Sequence, residues 1–120
     1  MLRQISHGDV LELQFSTFRS RAMRYAVSAF VTRGVMVDSA FPDAGPELRA
    51  WLDANRVDGA IMTHGHEDHA GNVQALVNRG IPVQLAAATE TLMREPGPIG
   101  WYRRIVWGTY TPFRGTVIPF

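Results

Sequence analysis

The sequence contains no cysteine and no lysine. The absence of cysteine excludes disulfide bonds, thiolate metal sites and cysteine nucleophiles, so any metal ion must be held by His, Asp or Glu side chains. The 12 basic residues are all arginines, and against 11 acidic residues they leave a net charge of +1. This balance gives no overall electrostatic preference for nucleic acid. We expect a cytoplasmic protein, with which the lack of cysteine agrees.

Long hydrophobic runs are also missing. The longest apolar stretch, residues 25–37, is interrupted by Thr32, Arg33 and Gly34, whereas a membrane-spanning helix needs about 18 or more consecutive apolar residues. Polar residues follow the first few positions almost at once, beginning with His7, so a secretory signal is not expected either. The sequence therefore predicts no contact with a membrane.

What the sequence does contain is an apolar fraction of 46% in 120 residues, which suits a single domain, residues 1–120, with a hydrophobic core. Alternating apolar residues and short apolar runs predict strands at 10–15, 25–32, 35–37, 60–63 and 81–85. Residues 116–120 are predicted to be the start of a further strand. Apolar residues three and four apart predict helices at 46–56, 70–79, 89–94 and 100–107. Strands that alternate with helices predict an α/β fold with a mixed sheet.

Three of the four histidines fall within residues 64–69, which read His-Gly-His-Glu-Asp-His and are called the motif loop below. Imidazole and carboxylate are the ligands that zinc, iron and manganese accept when thiolate is absent. His64 and His66 point the same way only on an extended chain, because two residues on a helix turn by about 200°. We therefore expect this pair at the end of the preceding strand or on an extended loop, with Asp68 and His69 at the start of the next helix. The helical zinc-protease pattern fails because Ala70 stands where its second His is needed.

The motif loop and its surroundings resemble the metallo-β-lactamase-fold hydrolases, whose signature is His-x-His-x-Asp-His after a central strand. The resemblance extends upstream to residues 35–40, a strand that ends at Asp38, and downstream to the strand at 81–85. It implies an αββα sandwich, of which this chain resembles the first half, a mixed sheet with helices on one face.

The resemblance also implies roles for the motif loop. His64 and His66 would bind a first metal, and Asp68 and His69 a second, with zinc expected and iron or manganese as alternatives. Asp68 would in addition orient the attacking hydroxide. Asp38 would lie beside the ligands and fix the loop by hydrogen bonding, although a simple turn residue at a strand end is an alternative for it. Glu67 is expected to face solvent.

The sequence departs from the family pattern downstream of the motif loop. The family adds a His, an Asp and a further His there, whereas this chain has no histidine after His69 and no aspartate after Asp68. His7 lies outside any family ligand position and is read as a polar loop residue. We therefore expect a truncated or half-length domain with an incomplete site. Its uncovered sheet face could cause self-association.

The expected function is hydrolysis of an ester, thioester, lactone or amide-type bond in a small molecule by a zinc-activated hydroxide, as in glyoxalase II-like hydrolases. Alternatives are a half-domain that binds metal weakly or pairs with another chain, a metal-dependent nuclease, and an iron-dependent persulfide dioxygenase.

Arg103 and Arg104 could bind an acidic substrate, although an amphipathic helix with aromatic core residues explains residues 100–107 as well. The cluster Arg19, Arg21 and Arg24 is expected on a solvated strand or loop, with a clamp for a phosphorylated substrate as the alternative.

Overall fold

Seven strands form a single mixed sheet in which each strand lies beside the one that precedes it in the chain. The computed structural model describes all residues, 1–120. The first four strands pair in antiparallel fashion, and the last three add to the sheet in parallel. In chain order they are β1 Leu2–His7, β2 Val10–Phe15, β3 Val27–Thr32, β4 Val35–Val37, β5 Gly59–Ile61, β6 Val83–Leu85 and β7 Ile118–Pro119.

Five helices connect or follow these strands. They are α1 Phe18–Ala22, α2 Gly45–Ala54, α3 Val73–Asn78, α4 Ala87–Arg94 and α5 Trp101–Trp107, with a 3₁₀ turn at Pro42–Ala44 before α2. In α2, Leu48, Trp51 and Leu52 are buried as the helical spacing predicted. The parallel strands β4, β5 and β6 are separated by helices, since a parallel connection has to return the chain to the same end of the sheet.

One face of the sheet is buried and the other is only partly covered. Alternate residues of β2, such as Leu13 and Phe15, are fully buried, and their cross-strand partners Ala29 and Val27 lie in the same core. This core also takes in side chains of α2, α3 and α4. On the opposite face Phe30 and Ile118 are 37% and 48% exposed. The predicted mixed α/β sheet is confirmed, and self-association through this second face stays a prediction.

The structure corrects several local predictions. Residues 2–7 form a strand that the sequence did not reveal, and His7 ends that strand, where its Nε2 lies 2.7 Å from Glu12. The arginine cluster lies on and just after α1 and not on a strand or loop, because Thr17 and Ser20 form a capping box that starts a helix there. Helix α3 begins three residues later than expected, so Asp68 and His69 lie in turns ahead of it.

No helix of the structure combines the length and the apolar character needed to cross a membrane. The cytoplasmic location stays a prediction.

The buried face of β2 predicts a clear difference between neighbouring positions. We expect Leu13→Ala to lower the free energy of unfolding by about 2–5 kcal/mol, because it leaves a cavity in the core. Gln14→Ala, on the opposite face, should change it by about 0.5 kcal/mol or less. Urea unfolding followed by circular dichroism measures both. A loss below about 1 kcal/mol at Leu13 would contradict the placement of this face in the core.

Candidate metal site

The candidate site lies where β4 and β5 end, at the carboxyl edge of the parallel strands. Asp38 directly follows β4, and the motif loop follows β5 after Met62 and Thr63. The amide of Asp38 donates to the carbonyl of Ile61 over 2.9 Å, so the two chain segments are already joined as they leave the sheet. Open α/β sheets place their sites at this edge because loops from neighbouring strands meet there.

The loop after β4 has an unusual backbone. Asp38 and Ala40 have φ angles of 65° and 57°, in the left-handed region that residues with a Cβ seldom adopt. Such conformations cost of order 1–3 kcal/mol each and persist only where surrounding contacts determine them. Strain of this kind concentrates at functional sites, and here it turns the Asp38 side chain toward the motif loop.

Ser39 and Asn72 supply the contacts that hold this backbone. The amide of Ser39 donates to the carbonyl of His69 over 2.6 Å, and its hydroxyl accepts from the amide of Asn72 at 3.1 Å. The buried side-chain amide of Asn72 donates to the carbonyls of Ser39 and Phe41, both at 2.8 Å. The loop after β4 and the end of the motif loop are therefore one hydrogen-bonded unit.

The buried Asp38 carboxylate binds Thr63, directly before the motif loop, and His69, at its end. Its Oδ1 accepts from the amide of Thr63 at 2.8 Å and from the Thr63 hydroxyl at 2.9 Å. Its Oδ2 lies 2.9 Å from Nδ1 of His69. An ionised carboxylate only accepts hydrogen bonds, so Nδ1 of His69 carries a proton and Nε2 keeps its lone pair free.

The same carboxylate orders His64 through the Thr63 hydroxyl. That hydroxyl has one proton, which it donates to Asp38, so it can only accept from Nδ1 of His64, 2.9 Å away. His64 is thereby left with Nε2 as its free nitrogen. Metal-binding histidines almost always use their other ring nitrogen in this way, and Asp38 imposes the arrangement on two of the candidate ligands.

Three of the four predicted ligands come together. Atoms of His64, Asp68 and His69 that can bind a metal all lie within 4.8 Å of one another. The rings of His64 and His69 have centroids 4.3 Å apart, and Nε2 of His69 lies 3.5 Å from Oδ2 of Asp68. His66 lies outside this group on the exposed side, with its ring centroid 4.8 Å from that of His64.

The donor set fits zinc in its chemistry. In a tetrahedral zinc site with ligand bonds of about 2.1 Å, two ligand atoms lie about 3.4 Å apart. The widest separation within the 4.8 Å group therefore has to close by up to ~1.4 Å, which requires side-chain rotation. Two imidazoles and a carboxylate suit zinc, and also iron and manganese.

Glu67 is buried, so the expectation that it faces solvent was wrong. It is 4% exposed, and its two oxygens accept from Nε and Nη2 of Arg103 at 2.7 and 2.6 Å, a bidentate ion pair. The hydrogen bonds that Arg103 donates to Glu67 raise the pKa of Arg103 above its ordinary value, with smaller contributions from the charges of Glu67 and Asp68. Arg103 is therefore already paired with an acid of its own chain, and Glu67 faces the protein because α5 presents that arginine to it.

A cavity of about 290 Å³ opens beside His66, and its lining includes Glu67, Leu92, residues 96–99, Arg103 and Tyr110. Tyr110 donates to the carbonyl of Ala70 at 3.3 Å. Burial, and after it the charge of Glu67, raise the pKa of Tyr110 to about 12, so the phenol stays protonated and remains a donor at neutral pH. Trp101 and Tyr102 are largely exposed, while Trp107 packs on Phe41 with ring centroids 4.8 Å apart.

The comparisons with known proteins identify a family and a shared fold. A family profile described as the metallo-beta-lactamase superfamily matches residues 25–119. A metallo-beta-lactamase from Hirschia baltica has a TM-score of 0.66 at 24% identity over 82% of this chain and 49% of its own. One from Pontibacter korlensis has a TM-score of 0.65 at 19% identity over 82% and 50%.

The enzyme FIM-1 from Pseudomonas aeruginosa, solved in a mono-zinc form, has a TM-score of 0.65 at 18% identity over 76% of this chain and 44% of its own. These likenesses show the fold, and the chain spans about half the length of the first two structures. Among curated proteins, none matches the chain.

Gly71 gives a direct test of how closely the site is packed. A Cβ at this position would lie 2.4 Å from the carbonyl oxygen of Glu67 and 2.7 Å from that of Ala40. We expect Gly71→Ala to lower the free energy of unfolding by about 1–3 kcal/mol, because backbone atoms on both sides must move apart. Gly97→Ala, with nothing within 4 Å, is the matched control and should be near neutral. Equal effects at both glycines, measured by urea unfolding, would contradict this packing.

Proposed function

The chain belongs to the metallo-beta-lactamase superfamily, and we propose on this basis that it carries the metal-binding half of a metallo-hydrolase. The proposed substrate is a small molecule with an ester, thioester, lactone or amide-type bond. One observation carries the proposal: the atoms of His64, Asp68 and His69 converge within 4.8 Å, with Asp38 ordering the two histidines directly and through Thr63. Convergence of ordered imidazoles with a carboxylate is what a catalytic zinc site needs.

We propose that zinc is held by His64, Asp68 and His69, with His66 joining from the exposed side after a change of its side-chain position. A bound zinc ion supplies a hydroxide nucleophile near neutral pH, because it lowers the pKa of coordinated water to about 7. The mono-zinc form of FIM-1 supports one ion as a sufficient starting point. Two ions remain the expectation for the complete site.

The chain's own residues have distinct tasks in this proposal. Nε2 of His69 and an oxygen of Asp68 lie 3.5 Å apart, so Asp68 is placed both to bind metal and to accept a hydrogen bond from an attacking water. By accepting from Nδ1, Asp38 selects the tautomer of the neutral His69 ring in which Nε2 carries the lone pair. The cavity beside His66 is where we place the substrate. Since Arg103 is paired with Glu67, we propose that an acidic substrate group would have to bind elsewhere.

A second candidate is a non-catalytic or incomplete half-domain that binds metal weakly or receives further ligands from another chain. The observation in its favour is that three residues form the cluster, while His66 lies apart. Three ligands hold an ion, but a catalytic site also requires a fixed open position and groups that orient the substrate.

Zinc affinity tests the ligand assignment. We expect His64→Ala and Asp68→Ala each to weaken zinc binding at least ~tenfold, because each removes a ligand and even the loss of a residue supporting a ligand costs 10- to 100-fold. His7→Ala is the control, since His7 lies on β1 and pairs with Glu12. Competition with a chromophoric chelator gives the affinities. Unchanged binding in both ligand variants would refute the assignment.

Activity separates the two candidate functions. Purified chain loaded with zinc is assayed on thioester and lactone substrates, and in parallel with iron on a persulfide and with zinc on RNA. Turnover of a thioester or lactone that is lost in Asp68→Ala supports the hydrolase. Tight zinc binding without turnover on any substrate favours the incomplete half-domain, and turnover confined to the persulfide or to RNA would replace the hydrolase by the corresponding alternative.

A further inference from the structure

We propose that the Glu67–Arg103 ion pair is a positioning device for the metal site, which fixes the turn of the motif loop and keeps the Arg103 cation away from Asp68. The proposal rests on the proposed function, because the site it serves is the one assigned to zinc above. Neither residue is a ligand in that assignment.

Glu67 lies inside a hydrogen-bonded backbone turn. The amides of His69 and Ala70 both donate to the carbonyl of His66, at 3.0 and 2.8 Å, so the turn encloses Glu67. The Glu67 side chain is 4% exposed and bound at both oxygens. A bidentate pair defines direction as well as distance. Fixing this side chain therefore fixes the turn that sets His66 and Asp68 on either side of it.

Arg103 makes the main connection between α5 and the motif loop. Trp101, Tyr102 and Ile105 are 69%, 56% and 47% exposed, and Val106 is the one buried residue of this helix. The partly buried Arg103 is the residue of α5 that reaches the loop by an ion pair. Its neighbour Arg104 is exposed and has no acidic partner, which makes it a matched control.

Electrostatics provides a further reason. Asp68 follows Glu67 directly in the turn that Arg103 reaches, and its charge also acts on the guanidinium, although less than the hydrogen-bonded Glu67. If Glu67 is replaced by Gln, Asp68 is the remaining carboxylate of this turn with which the guanidinium can pair. A cation paired with Asp68 competes with a metal ion for the same oxygens. Glu67 therefore protects the ligand by occupying the arginine.

Substitution of Arg103 and substitution of Glu67 should therefore affect the site differently. Arg103→Gln releases the turn and leaves Glu67 buried without its cation. Glu67→Gln releases the turn and also frees the cation beside Asp68. The double variant Glu67→Gln/Arg103→Gln removes that cation again, so it should bind zinc better than Glu67→Gln alone. A pair that merely stabilises the fold would not produce this recovery.

Hydrogen exchange of the metal-free chain tests the effect on the turn. We expect Arg103→Gln to speed exchange of the His69 and Ala70 amides at least ~tenfold, whereas the Leu13 amide in the sheet reports any global loss of stability. Arg104→Gln should leave all three within ~twofold. Arg103→Lys, which keeps the charge but not the fork, should fall between the two. Unchanged protection of His69 and Ala70 in Arg103→Gln would overturn the proposal.

Zinc binding tests the effect on the site, with competition by a chromophoric chelator as the measurement. We expect Glu67→Gln to weaken binding at least ~tenfold and the double variant to recover at least ~threefold of that loss. A double variant that binds no better than Glu67→Gln would overturn the electrostatic argument, and full affinity in both single variants would overturn the proposal as a whole. If the unaltered chain binds no zinc, the proposed function fails, and exchange alone then decides whether the pair orders the turn.

Discussion

The carboxylate of Asp38 is the contact on which the site depends. It follows β4, yet it binds Thr63, directly before the motif loop, and His69, at the end of that loop. A buried carboxylate is stable only where donors surround it, and here the donors are the loop's own groups. The loop therefore takes its shape around one anion, and the free nitrogens of two histidines are a consequence of that shape.

Around this anion the structure separates two kinds of charge. Asp38 binds His69 and Asp68 is itself a candidate ligand, whereas Glu67, next to Asp68 in sequence, turns away to bind Arg103. The Arg103 guanidinium is thus compensated before any ligand arrives. An acidic site with its neighbouring cation neutralised is suited to hold a divalent metal, and the half-buried Tyr110 adds a neutral donor without changing the charge.

The sequence indicated the family and the location of the site because histidine is scarce and three of four lie together. Spacing predicted the motif loop after a buried strand, and the resemblance predicted Asp38 as a hydrogen-bonding residue beside the ligands. The hydrogen bonds of Asp38 are present, and its role beside a bound metal stays a prediction. The expected exposure of Glu67 was wrong because its partner stands 36 residues later, and no periodicity connects the two. The left-handed backbone at Asp38 has no signal either, because it arises from tertiary contacts that override the local preference. Strand β1 was missed because its polar face dominates residues 2–7 and its partner β2 decides the pairing.

The order of the strands bears on synthesis in the cell. Since each strand lies beside its predecessor in the chain, the sheet can grow from one edge while the ribosome is still adding residues, at about 5–20 residues per second. β4 and Asp38 are synthesised before β5, so the carboxylate is already available when the motif loop is made. Arg103 arrives only some seconds later. The nascent loop can therefore be ordered at its ends by Asp38 first and closed in its middle by the arginine last.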